Sequence, residues 1–122
     1  MTPGLIMAFV AACAAGGLAR QLVTELVQQR LPGPFPWPTF VVNVSGAFLA
    51  GLILGGIDHH AWVLALVIGF CGCYTTISSF GLQTAQLFWD GRSGLALTNV
   101  AASLGFSLFA AAIGLAAGRL VA

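Results

Sequence analysis

Lysine is missing from this 122-residue sequence, and charge of either sign is scarce. Arg20, Arg30, Arg92 and Arg119 are the only arginines, and Glu25, Asp58 and Asp90 the only acids. Charged residues are 6% of the chain, where a water-soluble domain carries about a quarter. A chain this poor in charge cannot cover a surface in water. With 59% hydrophobic residues and a mean hydropathy of +1.00, its solvent is lipid. The net charge of +1 provides no basic face for nucleic acid. The three cysteines, Cys13, Cys71 and Cys73, are an odd set inside apolar stretches and lack metal-site spacing, so they read as small buried hydrophobes. No phosphate loop or nucleophile–base pair appears, which excludes the common enzyme classes. The stretch Gly4–Ala19 has no Lys or Arg before it, as a cleaved secretory signal should; it is expected to be a retained first span.

What is present falls into four apolar segments, about 3–27, 39–57, 61–89 and 95–120. A linker, Gln28–Pro38, holds four prolines and cannot be helical throughout. Asp58-His59-His60 and Asp90–Gly94 are the polar turns, and the two histidines read as solvated. Trp37, Trp62 and Trp89 fall at segment ends, where an indole ring suits the headgroup level. The expected architecture is all-α and integral to the membrane, with four transmembrane helices in one domain, 1–122. Gly51 and Gly55, Gly114 and Gly118, and the pair Gly46 and Ala50 recur every four residues and let helices approach closely. Four spans offer little interior, so a homo-oligomer is expected. The arginines give only a weak bias in orientation, so insertion both ways round is conceivable.

The third segment is too long. As one helix it would measure about 43 Å at ~1.5 Å per residue, against a hydrocarbon core of about 30 Å. Its centre, Gly69–Gly81, is rich in Gly, Thr and Ser, which are weak helix formers. A break near 72–77 is expected; the alternative is an unbroken, tilted helix. Irregular backbone at membrane depth is tolerated only where protein or a water-filled path covers it.

The polar residues inside the spans are neutral. Thr39 and Asn43 share a face of the second span by i, i+4 spacing. Ser79 and Gln83 do so in the third, beside a stripe of Phe80 and Thr84. Asn99, Ser103 and Ser107 follow in the fourth. They outline a hydrogen-bonding track, with helix–helix glue as the alternative role. Proton-coupled transport needs a titrating group in the membrane, and no Asp, Glu or His lies mid-span. Hydroxyl and amide donors and aromatic ring edges suit a small, dehydrated anion.

Three stretches resemble the Fluc (CrcB) fluoride channels. Gly16-Gly17-Leu18-Ala19-Arg20 resembles the Gly-x-x-x-Arg of their first helix. Thr39-Phe40-Val41-Val42-Asn43-Val44-Ser45-Gly46 resembles the Thr-x-x-x-Asn-x-x-Gly of the second. Gly69-Phe70-Cys71-Gly72-Cys73-Tyr74-Thr75-Thr76-Ile77-Ser78-Ser79-Phe80 resembles the Gly-x-x-Gly-Gly-x-Thr-Thr-Phe-Ser-Thr-Phe of the third. The resemblance implies a passive fluoride exporter of the inner (plasma) membrane. It implies a dual-topology dimer of antiparallel chains with the third helix broken mid-membrane. It also implies a structural sodium ion at the dimer centre, held by the carbonyls of Gly72 and Thr75. Asn43 would be the pore asparagine, Phe80 the second pore phenylalanine, and Ser78 and Ser79 the hydroxyls at the break. Arg20 would be the first-helix arginine; by its chemistry it reads as structural, snorkelling or capping a carbonyl. The chain departs from the pattern at Ile77, which stands for the first pore phenylalanine, and at Cys73 and Gly81. It also departs at Gln83, which stands for a frequent glutamate and cannot ionise. These departures keep two alternatives open: a non-conducting subunit, or one that pairs with an unlike family member. A small multidrug transporter is a further alternative, but it needs a buried carboxylate in the first helix, and none precedes Glu25.

Overall fold

The computed structural model describes residues 2–122, which form four helical passes and, among those residues, no strand. Helix α1 (Pro3–Arg30) starts on a proline, whose missing N–H costs nothing in a first turn. The Thr2 hydroxyl caps it by accepting from the Leu5 amide at 3.2 Å. Residues 28–30, assigned above to the linker, continue this helix. Helix α2 (Trp37–Gly56) takes up Trp37 and Pro38, also assigned to the linker, because proline is tolerated in a first turn. Only residues 31–36 remain outside helix between α1 and α2.

The third pass is composite. It runs as α3 (His60–Val63), a π-helix (Leu64–Cys71), α4 (Gly72–Tyr74) and α5 (Ile77–Trp89). Thr75 and Thr76 lie between α4 and α5 with extended backbone (φ −78°, ψ 163° and φ −148°, ψ 122°). Thr76 then caps α5, its hydroxyl accepting from the Ser79 amide at 3.2 Å. Helix α5 ends in a tight turn. The Gly91 amide donates to the Phe88 carbonyl and the Arg92 amide to that of Leu87. The turn needs φ +75° at residue 91, which glycine adopts without strain. Helix α6 (Ser93–Val121) makes the fourth pass. The helical stretches Pro3–Arg30, Trp37–Gly56, His60–Trp89 and Ser93–Val121 are each long and apolar enough to cross a bilayer.

Helices α2 and α6 run parallel and almost touch backbone to backbone. A Cβ on Gly51, Gly55, Gly114 or Gly118 would collide with the carbonyls of Ala111, Leu115, Phe48 or Leu52 respectively. Both glycine pairs therefore serve contact within the chain. Gly16 of α1 meets the Phe70 carbonyl in the same manner, which seats the π-helix against α1. The interior is thin: Val42, Ala65, Cys71, Tyr74, Leu87 and Ala96 are the buried apolar side chains. Large apolar groups such as Leu18, Leu104 and Leu120 face outward, as lipid permits. The thiols of Cys13, Cys71 and Cys73 are free.

Candidate functional site

The site forms where α2 passes Thr75 and Thr76. The Asn43 side chain treats the Thr76 backbone as a second peptide. Its Nδ2 donates to the Thr76 carbonyl at 2.9 Å, and its Oδ1 accepts from the Thr76 amide at 2.8 Å. These two bonds fix the amide's orientation and leave its second N–H uncommitted. They also redirect the backbone. In a continuous helix the Thr76 amide would donate to the Gly72 carbonyl. Here it donates to Asn43, and the Thr75 amide donates to the Cys71 carbonyl at 2.9 Å. The Gly72 carbonyl thus loses its usual donors. The Thr75 carbonyl accepts no hydrogen bond from any described residue. It belongs to the same peptide as the Thr76 amide, and the C=O and N–H of a trans peptide point opposite ways, so it is turned away from Asn43. Two carbonyls with free lone pairs at the C-terminal end of α4 suit a hard monovalent cation, which takes oxygen ligands. Gly72 and Thr75 also line the same open cleft, of about 430 Å³.

Asn43 and Ile77 border that cleft and a second one, of about 250 Å³, completed by Phe80, Ser103, Ser107 and apolar residues of α6. Ile77 is 80% exposed, so both clefts lack a wall on its side. A third cavity, of about 220 Å³, is polar; Arg20, Thr24, Thr39, Ser79 and Gln83 are among its lining residues. It shares Thr76 with the first cleft. A fourth, of about 280 Å³ beside residues 33–36 and Asp90, shares Thr24, Thr39 and Gln83 with the third. From the α5–α6 turn inward, neighbouring cavities thus share lining residues, and the third meets the first, which Asn43 borders, at Thr76. The Gln83 Oε1 is buried and has no protein donor, a group that water satisfies in a polar cavity.

The residues singled out from the sequence are therefore divided rather than gathered into one track. Thr39, Ser79 and Gln83 stand in the polar cavity, and Phe80, Ser103 and Ser107 in the cleft beyond Asn43. Asn99 is only 1% exposed, with both ends of its amide partnered. The Thr84 hydroxyl donates to the Phe80 carbonyl at 2.7 Å, so it can only accept from the Asn99 Nδ2, at 2.9 Å. The Asn99 Oδ1 is left to accept from the Ser103 hydroxyl at 3.2 Å. Ser78 is exposed, its Oγ 3.3 Å from the Thr76 hydroxyl. Arg20 lines the polar cavity. Gln21 and Thr24 were missed, since a single hydroxyl or amide near a span end carries no periodic signal; Thr76 was quoted only within a motif, because its part is played by its backbone, which no side-chain pattern shows.

Residues 6–115 match the sequence profile of a family described as CrcB-like protein, Camphor Resistance (CrcB). The chain is 47% identical over 115 residues to "Fluoride-specific ion channel FluC 2" of Rhodopseudomonas palustris (strain BisB18), covering 88% of this chain and 87% of that protein. It is 43% identical to the protein of the same name from Bradyrhizobium diazoefficiens, over 89% and 85% of the two chains. It is 40% identical to "Fluoride-specific ion channel FluC" of Acidobacterium capsulatum, over 89% and 92%.

Proposed function

The chain belongs to the CrcB family, a multi-pass family of the bacterial plasma membrane whose relatives are named as ion channels and not enzymes, and from that premise we infer that it is a passive, fluoride-selective channel that lets cytoplasmic fluoride out of the cell. The observation that carries this reading is the Asn43 amide: pinned through both its ends to Thr76, it keeps one N–H free beside a cleft that also holds Phe80 and Ser107. A neutral, oriented donor attracts a dehydrated anion without trapping it as a cation would. Arg20 is the one charged residue among the lining of the polar cavity, which suits gathering anions at its mouth. Passive flow is favoured because the three cavities nearest Asn43 have no carboxylate or imidazole in their lining to couple transport to protons; Asp90 lines only the fourth, at the α5–α6 turn.

The clefts beside Ile77 are open on one side, and a second copy inserted antiparallel would close them and give two pathways. The carbonyls of Gly72 and Thr75 from both copies would hold a sodium ion at the dimer centre, where it would act structurally as an electrostatic tie between chains. The direct test is fluoride efflux from liposomes containing this chain alone, with chloride as control. Fast efflux of fluoride but not chloride supports the reading; a folded dimer that passes neither ion overturns it for this chain alone. In that case Ile77→Phe separates the two alternatives: recovery identifies a pathway disabled at Ile77, and continued silence identifies a subunit that needs an unlike partner.

Asn99 gives a second test within this reading. Its amide is buried and partnered at both ends within the chain, so Asn99→Leu is expected to leave fluoride efflux within about threefold of the parent, as losing an interhelical hydrogen bond of ~0.6 kcal/mol would. Loss of efflux with the fold retained would instead put Asn99 on the ion's path.

A further inference from the structure

Three consecutive residues of the third pass are each held by a different residue of α2. Thr76 is tied by Asn43. Thr75 lies in the space left by Gly46, where a Cβ would collide with the Thr75 methyl. Tyr74 reaches to Ser45, its hydroxyl 2.8 Å from Oγ. The direction of that last bond follows from the neighbours. Ser45 has one proton and spends it on the Val41 carbonyl at 2.7 Å, shared with that of Val42 at 3.2 Å. Ser45 therefore accepts, and Tyr74 donates. The tyrosine is 5% exposed and its ring stacks on Phe70, with centroids 5.8 Å apart. It borders neither of the clefts beside Asn43.

Positions 43 and 45 face roughly opposite sides of α2, about 200° apart at ~100° per residue. Asn43 therefore holds the Thr75–Thr76 peptide from one side while Tyr74 grips the same helix from the other. One anchor alone would let that peptide swing about the Asn43 bonds, and the free Thr75 carbonyl would swing with it. We propose that the Tyr74 hydroxyl, through Ser45, is a positioning group that aims the Thr75 and Gly72 carbonyls at a bound alkali cation. The proposal rests on the cation site described above, and it assigns Tyr74 and Ser45 no contact with either ion.

The test is thermal unfolding of the purified protein titrated with sodium against a potassium or N-methylglucamine background. It is run on the parent, Tyr74→Phe, Ser45→Ala and the double variant. In Tyr74→Phe the sodium concentration giving half the stabilisation is expected to rise about three- to tenfold, the size expected for one lost hydrogen bond. The double variant is expected to need no more sodium than Tyr74→Phe, because both changes break one bond. A purely structural role predicts the opposite pattern: unfolding temperatures fall equally in every salt and the sodium midpoint stays put, which overturns the proposal. A parent protein indifferent to sodium overturns the cation site and this inference together. Sodium stabilisation of the parent with an unmoved midpoint in Tyr74→Phe overturns this inference alone.

Discussion

Fluoride efflux is expected to fall at least about a hundredfold when Asn43 is replaced by aspartate, with the protein still folded. Aspartate matches asparagine in shape and keeps an oxygen to accept from the Thr76 amide. It loses the Nδ2 donor, so a carboxylate oxygen faces the Thr76 carbonyl oxygen across the 2.9 Å now spanned by a hydrogen bond. It also places a negative charge beside the cleft lined by Phe80 and Ser107. At about 5 Å and an effective dielectric near 20, repulsion between that charge and an anion is ~3 kcal/mol, more than a hundredfold in occupancy. The check is initial efflux from liposomes matched for protein, with size-exclusion chromatography to show that the variant is folded. Asn43→Asp with parental efflux would remove Asn43 from the ion's path and leave it only the role of holding Thr76.

The four helical passes were legible because lipid imposes a single crude demand, some twenty apolar residues per crossing, and the Trp and Asp residues mark the ends. Helix ends were read less well. Gln28–Arg30 look like linker because prolines follow, yet a helix runs on until a proline removes a donor it needs. The π-helix over Leu64–Cys71 left no trace in composition; it goes with the close seating of Phe70 on Gly16 of α1, a tertiary fact. The low helix propensity of Gly69–Gly81 did single out the stretch that contains the extended pair Thr75 and Thr76. What periodicity cannot show is the partner of a polar side chain. Asn43 and Asn99 read alike, each a mid-span amide at i, i+4 from a hydroxyl. One meets a backbone whose own helix has stopped, and the other meets Thr84 across two continuous helices. Their surroundings separate them, and those belong to neighbours 33 and 15 residues away in sequence.

The second large effect concerns a residue remote from any ion. Gly114→Ala is expected to lower the unfolding temperature markedly and to abolish efflux, although position 114 borders none of the clefts that hold Asn43. A single methyl there collides with the Phe48 carbonyl and lies 3.0 Å from the Leu52 amide, atoms of a helix backbone that cannot rotate aside as a side chain can. Overpacking against side chains already costs about 1–3 kcal/mol, and here relief requires α2 and α6 to separate. That separation carries function with it, since Asn43 stands on α2 while Ser103 and Ser107 stand on α6, and the cleft between them keeps its width only while the two backbones touch. Gly105→Ala is the matched control: it adds the same methyl to the same helix, where nothing lies within 4 Å, and it should leave both the unfolding temperature and efflux at parental values. If the two variants behave alike, the spacing of α2 and α6 does not set the pathway, and the glycines serve only the folding of the chain.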